Sequence, residues 1–534
     1  MPAKPEYHSH EEFINRSRKL AEIRQLGIEP YPHRYDVTDS ADHLHKTYAS
    51  GSLGHSEDAA AGTTPAVSVA GRLVLFRSMG KNAFAHIQDA TGRIQVMFNR
   101  DLTTVEGYQP ADVNGEAITP LKFLEKKIDL GDIIGIKGNL FFTNKGELTI
   151  FAKKVTLLSK TLLPLADKHS GLADKELRYR KRWLDLISHE EVQQTFKIRS
   201  KILHLIRAHL ESAGFLEVET PILQSIYGGA EARPFTTNLN AMDQDMFLRI
   251  SLEIPLKKLI VGGMNKIFEL GRVFRNEGID RNHNPEFTLL EAYAAYWDYN
   301  DVMKFVETMI EKIALSLYGS TKIQSSNPET GQVTEVDLKA PWLKLTMKES
   351  IQKYAKINVD ELSDEQMREM LIKSEHCDPK KIKTMPRGLL IAAIFAVFVE
   401  HHLIQPHHII DHPIETTPLC KPHRNPDEKN KGIVERFETF ILGQELCNAY
   451  SELNDPEIQR GLLEQQAGRR DAGDEEASPF DEEFIEAICQ GMPPTGGFGI
   501  GIDRLVMILT NSHSIRDVLF FPWMKSEQAR VEKN

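Results

Sequence analysis

From Val67 to Leu158 apolar and polar residues alternate in five short runs, VSVAGRLVLF, AFAHIQD, RIQVMF, DIIGIKGNLFF and ELTIFAKKVTLL, each bounded by Gly, Asn, Asp or Lys turns. A period of two sends successive side chains to opposite faces, so these runs read as strands, and five at this spacing suit a small closed barrel. Ahead of them, residues 11–26 place apolar positions at helical spacing until Gly27, Pro30 and Pro32 stop the run, which predicts a helical arm. The stretch Ala49–Pro65, ASGSLGHSEDAAAGTTP, has no hydrophobic period and reads as a loop. Beyond Leu163 a charged helical segment leads into an amphipathic helix over about Gln193–Leu210. The remainder mixes strands and helices without regular βαβ alternation, which predicts an antiparallel sheet flanked by helices. Residues 346–402 read as an inserted helical block, with LSDEQMREMLIKSE its clearest amphipathic piece. The fold class is therefore α+β and multidomain: an arm and loop over 1–65, a barrel over 66–160, a hinge over 161–192 and a larger domain over 193–534.

Composition narrows the function. A chain of 534 residues exceeds what one core organises, and 41% hydrophobic with 26% charged residues is a normal globular balance. A net charge of −11 argues against a protein that coats nucleic acid unspecifically, although a local basic face is compatible with it. The barrel pattern fits an OB-fold, whose exposed strand face commonly binds oligonucleotides; by pattern alone a purely structural barrel fits as well. Cys377, Cys420, Cys447 and Cys489 form no CxxC pair, which points to a reducing cytosol. The N-terminus MPAKPEYHSHEEF has no apolar h-region, and no apolar run approaches membrane-spanning length, so neither export nor anchoring is expected.

Four segments carry candidate chemistry. GFLEVETPIL, Gly214–Leu223, is a helix end, a short strand and a terminating proline, weak evidence in isolation. KIFELGRVFRNEG followed by IDRNHNPEFTLLEAYAAY reads as a hairpin, with Glu291 and Tyr293 on one face and Arg275 and Glu277 likewise together. Arginine can hold a phosphate through a paired donor fork, and Phe287 offers a ring face to a purine. A solvated surface hairpin would show a similar charge pattern. ERFETFILGQELCNAYSELND folds back near Gly443, which brings Glu438 and Glu445 within range of each other; paired carboxylates suit Mg²⁺ on a nucleotide's phosphates, or are simply solvated acids. On the outgoing strand Asn448, Tyr450 and Glu452 share one face, an unusual lining for a core. TGGFGIGIDRLVMILT is a glycine-rich strand and turn before a helix starting near Asp503, with Arg504 at its start; it lacks the Lys-Ser/Thr of a Walker loop.

In this order and at these separations, the segments resemble the three signature motifs of class II aminoacyl-tRNA synthetases, with the amino-acid strand between the second and third. FRNEG followed by HNPEFT, and NAYSELND before GIGIDR, look like the lysyl branch of that class, and the barrel in front extends the likeness over nearly the whole chain. The resemblance implies an ATP-dependent lysine–tRNA ligase with Mg²⁺, ATP, L-lysine and tRNA(Lys) as its ligands, acting as a homodimer in the cytoplasm. By the same resemblance Arg275 contacts the α-phosphate and the substrate carboxylate, Glu277, His283 and Asn284 hold ATP, and Phe287 stacks on adenine. Arg504 grips the far phosphates, Gly501 lies near the nucleotide, and Glu438 and Glu445 are the metal carboxylates, Glu445 also meeting ATP. The lysine pocket falls on Gly229, Glu253, Arg275, Glu291, Tyr293, Asn448, Tyr450 and Glu452. In the barrel Phe84 is implied to stack on an anticodon base and Gln95 and Glu147 to hydrogen-bond bases. Pro221 and its neighbours are implied to meet their symmetry mates.

The physics of the pocket agrees with a cationic substrate, because a buried ammonium needs carboxylates and phenols around it. One departure concerns Glu253: the family's proline before it and aromatic two residues after it are here Leu252 and Pro255, in a segment read as a strand. The histidines from His401 to His423 fall in what reads as a polar loop, without settled ligand spacing, and are taken as solvated or structural. Two other readings stand beside this one. A lysyl ligase acting on protein would lack the barrel over Val67–Leu158, and a catalytically dead paralogue would not need Arg275, Glu438, Glu445 and Arg504 intact.

Overall fold

The alternating runs of the N-terminal region become the strands Ala66–Met79, Asn82–Gln88, Arg93–Asn99, Ile133–Phe142 and Leu148–Ser159 in a computed structural model that describes residues 5–49, 53–109, 118–165, 174–327 and 330–525. The chain separates into two units, Met1–Gly171 and Leu172–Asn534. In the first, neighbouring strands pair antiparallel until Arg93–Asn99 meets Leu148–Ser159 in parallel, Gln95 opposite Thr149, and this last pairing closes the barrel. Inward residues such as Ala83, Ala85, Ile87, Ile94, Val96, Ile136 and Ile150 are buried, as alternation requires.

The arm is part of this unit. Helix Glu11–Gln25 sends Ile23 into the barrel core, and its Lys19 reaches Asp129 at 2.5 Å. Lys160, whose side chain is fully buried, lies 2.5 Å from Asp129 and 2.8 Å from the buried Asp132. Replacing Lys160 with methionine takes from the buried Asp132 its only ion-pair partner among the described residues, leaves Asp129 with Lys19 alone, and is expected to cost the barrel about 3–5 kcal/mol, read as faster amide exchange across its strands. Short helices lie where the sequence reading has none, Ala41–Thr47 and two more among them. Ser56–Ala61 interrupts the expected Ala49–Pro65 loop, started by reciprocal hydrogen bonds between His55 and Asp58, and Ala59 packs on the barrel. Pro120–Lys127 starts at a Thr119 cap with proline in its first turn and buries Leu121, Phe123 and Leu124.

The second unit is built on an eight-stranded sheet, in the order Leu343–Thr346, His407–Pro413, Ile433–Ile441, Gln444–Ser451, Thr495–Gly501, Glu286–Ala295, Lys266–Phe274 and Leu216–Glu217. The six central strands are antiparallel and each edge strand joins in parallel, so the sheet is mixed at its margins. One face carries the main core, where Leu290, Ala292, Ala449, Phe498 and Ile500 pack against helices Glu190–Ser212, Tyr299–Tyr318 and Ile502–Leu509. Residues 347–402 are mostly helical around their own core of Ile351, Leu371, Leu390 and Ile394. The expected polar histidine loop is partly strand: His407, His408 and His412 lie on His407–Pro413 and are buried. His408 sits 3.0 Å from Glu307 and 2.9 Å from Thr439, and burial holds His412 down at about 3, so these two are neutral structural groups. Among the described residues no helix is long and apolar enough to cross a membrane.

Candidate active site

Residues opposite one another in a sheet share a face, and here register assembles the site. One row crosses four strands as Glu291, Gly499, Asn448 and Glu438; the next runs Tyr293, Gly497, Tyr450 and Arg436. The face opposite the core is thus paved with acids, phenols and an amide. Glycine is required at 497, where a Cβ would come within 2.1 Å of Glu452 Oε1 and 2.5 Å of the Tyr293 ring. Helix Glu253–Val261 supplies the wall. The sequence reading has a strand at this point, but Pro255 sits in a first helical turn, where its missing N–H costs nothing, and Leu252, Leu256 and Ile260 bury one stripe.

Glu291 is held by three donors. Ser251 Oγ and the Leu252 N–H donate to Oε1 at 2.8 and 3.0 Å, and the Tyr293 hydroxyl donates to Oε2 at 2.9 Å. Burial, then the charge of Glu253, raises its pKa from 4.5 to about 7 against the pull of those hydrogen bonds. Tyr450 donates to Glu253 Oε2 at 2.6 Å, and Lys257 pairs with both Glu253 and Glu452 at 2.5 Å. Burial lifts Glu452 well above the usual carboxylate range, Lys257 opposing and Glu253 adding to the rise. Gly229, at φ +86, passes close enough that a Cβ would lie 2.9 Å from Ser251 Oγ.

Towards the other end the cavity turns cationic. Arg275 donates to the Ile250 carbonyl at 3.3 Å and lies 5.2 Å from the centre of the Phe287 ring. Arg504 donates to the Glu445 carbonyl at 2.6 Å and stands 3.5 Å from Glu445 Oε2 and from His283 Nε2. His283 is oriented by Asp280 at 2.8 Å; Asn284 donates to the Glu286 carbonyl at 2.6 Å, leaving its own buried amide oxygen without a partner. Glu438 is held by Arg436 at 2.6 Å, which also donates to Asn448 at 3.0 Å. A buried ion pair ties the segments together: Arg199 of helix Glu190–Ser212 meets Asp503 at 2.6 Å, and Asp503 accepts from the Thr288 N–H at 2.8 Å, next to Arg504.

Every residue of the larger domain that the sequence reading singled out for catalysis, ATP, lysine or metal lines a single cavity of about 460 Å³. Arg436 and Ser251 of its lining, which hold the acids in place, were missed, as was Lys257, which is buried outside the lining. Arg436 lies two positions before Glu438, so strand alternation was a sufficient signal. Ser251 and Lys257 had none, since an isolated serine or a lysine four residues from a glutamate reads as surface. In the barrel Gln95 accepts from Thr149 at 2.8 Å, Glu147 is exposed 3.1 Å from His86, and Phe84 is half-buried beside Met97, its cross-strand partner.

Set against known proteins, residues 174–525 match the family described as tRNA synthetases class II (D, K and N), and residues 67–158 match the OB-fold nucleic acid binding domain. The chain belongs to the class II tRNA synthetases. This synthetase is similar to the lysine–tRNA ligase of Chlamydia pneumoniae, 58% identical over 98% of both chains. It is also similar to that of Chlamydia caviae, 58% identical over 97% of this chain and 98% of the relative. The lysine–tRNA ligase of Halalkalibacterium halodurans is 45% identical, over 96% and 97% respectively.

Proposed function

We propose that this synthetase joins L-lysine to tRNA(Lys) at the expense of ATP. The observation that carries the reading is the set of three buried carboxylates, Glu253, Glu291 and Glu452, at one end of a cavity whose other end holds Arg275 and Arg504. A diamino acid fits such a site with its ammonium groups among the acids and its carboxylate at Arg275, and the near-full-length likeness to lysine–tRNA ligases agrees.

In the first step a carboxylate oxygen of lysine attacks the α-phosphorus of ATP in line; the bond to the bridging oxygen breaks and pyrophosphate leaves. In the second a hydroxyl of the terminal ribose attacks the lysyl carbonyl and AMP leaves. No side chain serves as nucleophile. Arg275 holds the lysine carboxylate against the α-phosphate and Arg504 draws off charge at the far phosphates, so the protein contributes position and charge neutralisation. Phe287 takes one face of adenine, His283, Asn284 and Glu277 its polar surroundings, and Gly501 leaves room for the backbone to approach.

Glu438 and Glu445 would hold Mg²⁺. Both raise the pKa of the nearby half-buried Glu400, whose own burial is the larger cause, to about 7, which marks a local excess of negative charge. Among the described residues no three acids or histidines form a complete metal cage, and two carboxylates suit a cation that takes its remaining ligands from phosphates and water. Bound there, the cation supplies neutralisation of phosphate charge.

The barrel takes the anticodon, with Phe84 as the stacking platform and Gln95 and Glu147 as hydrogen-bonding edges. Leu216, Ile222, Leu223 and Ile226, exposed around Pro221, form the apolar surface on which two copies pair. Four unpaired cysteines agree with a cytoplasmic location.

The test is amino-acid-dependent exchange of labelled pyrophosphate into ATP with lysine, aspartate, asparagine and ornithine. Exchange with lysine alone is expected; exchange with aspartate or asparagine would refute the pocket assignment. Acidity gives a second expectation. Because Glu291 binds an ammonium only when ionised, the lysine KM should fall about tenfold per pH unit up to pH 7 and then level, a profile that steady-state exchange would record. The stability linkage runs the other way: the free protein holds this proton and the unfolded chain does not, so stability decreases from about pH 4.5 to about pH 7.

A further inference from the structure

Lys257 is fully buried, 0% exposed, and lies on the helix that walls the lysine pocket. Its ammonium stands 2.5 Å from Glu253 and 2.5 Å from Glu452, and 5.5 Å from the centre of the Tyr450 ring. A buried lysine kept only for packing is poorly chosen, since an apolar side chain of similar size avoids its desolvation. Counting charge gives it a purpose. The pocket holds three carboxylates, Glu253, Glu291 and Glu452, whereas lysine brings two ammonium groups, its own carboxylate being matched by Arg275. One acid is left over, and Lys257 already lies against two of the three.

We propose that Lys257 is a built-in third ammonium of the pocket, a positioning residue that balances the acid left over by bound lysine and so sets the site for a substrate carrying two ammonium groups. The inference rests on the reading of Glu253, Glu291 and Glu452 as the lysine-binding acids. The groups around Lys257 support it. Glu253 lies on its own helix; Glu452 and Tyr450 come from the amino-acid strand and its end; Glu291 and Tyr293 lie beyond Glu253; Cys420 is beside Glu452. The tyrosines and the cysteine are driven towards their neutral forms by burial, and the nearby Arg436 is paired with Glu438 at 2.6 Å, which among the described residues leaves the three glutamates and Lys257 to balance the ligand's ammonium groups. Burial alone would lower the pKa of Lys257, but Glu253 and Glu452 together carry it above its ordinary value, so it remains a cation.

The decisive variant is Lys257→Gln, which keeps hydrogen-bonding reach and removes the charge. With lysine bound, one acid must then retain a proton, so the lysine KM should rise about 10- to 100-fold near neutrality while the ATP KM and kcat change by less than about threefold. Its pH profile should also change: below about pH 7 the free variant already holds the proton that the complex must keep, so lysine binding is flat where the unaltered enzyme improves, and above about pH 7 it weakens as pH rises where the unaltered enzyme levels. Lys257→Arg should restore the original slope. Should these variants not fold, 6-aminohexanoate tests the same balance on the unaltered enzyme, because it lacks the α-ammonium, so one acid keeps its proton in the complex and binding must weaken as pH rises above about 7.

A folded Lys257→Gln enzyme with the original KM and slope overturns the proposal, as does inhibition by 6-aminohexanoate that strengthens with pH as lysine binding does. Glu452→Gln separates this from failure of the pocket reading. If Glu452→Gln leaves the lysine KM unchanged, the pocket itself was misassigned; if it raises KM while Lys257→Gln does not, only the role of Lys257 falls.

Discussion

Replacing Arg504 with alanine is expected to lower lysine-dependent pyrophosphate exchange by about a thousandfold or more, with the fold intact. The side chain lies in the first turn of a helix whose remaining residues are almost all core, yet its own guanidinium is half-buried and bonded only at its end, to the Glu445 carbonyl and, at 3.5 Å, to Glu445 Oε2 and His283 Nε2. Its loss opens no cavity in the core. It removes the cation that faces Glu445 across 3.5 Å, so the developing charge of departing pyrophosphate would meet acids without their counterweight. Arg504→Lys keeps the charge but not the paired donors and should recover only part of the rate. Single-turnover adenylate formation, with a melting curve as the control for folding, reads both. Near-normal exchange by the alanine variant would remove Arg504 from the phosphate site.

The second large effect is expected at a residue with no side chain. Gly497→Ala places a methyl where Glu452 Oε1 and the Tyr293 ring already are, at 2.1 and 2.5 Å, and the ring cannot retreat because it belongs to a paired strand. Glu452 must leave its ion pair with Lys257. The lysine KM should increase about a hundredfold while ATP binding persists, since the overlap falls at the amino-acid end. Gly499→Ala is the contrast: there the Cβ would stand an ordinary 3.6 Å from Glu291, and a change below about tenfold is expected. Equal effects at the two positions would mean that the crowding at 497 is relieved elsewhere.

Much of this was legible beforehand. The barrel strands announced themselves because each runs long enough for its alternation to outweigh local exceptions. The helices Ser56–Ala61 and Pro120–Lys127 escaped, being too short for a period to accumulate, although Thr119-Pro120 is a cap signal that could have been read. His407–Pro413 escaped for another reason: three buried histidines disguise a core strand as a polar stretch, and only contacts such as His408 with Glu307 neutralise their polarity. Glu253 does line the cavity, but it lies on a helix where a strand was expected, since a proline in a first helical turn looks like a strand end until the following residues are seen packed. Lys257 was beyond reach. Its meaning depends on Glu452, nearly two hundred residues away in sequence, and no local pattern carries that distance.

The rows of the sheet have one more implication. On Glu286–Ala295 the odd positions 291 and 293 line the cavity and the even positions 290, 292 and 294 face the core, while on the next strand but one, past the register shift beside Glu445, the even positions 448 and 450 line the cavity and 447 and 449 face the core. Recognition and folding are therefore written on interleaved letters of the same strands. A change of amino-acid preference can be spelled by altering every second residue, and the letters between them need not be touched.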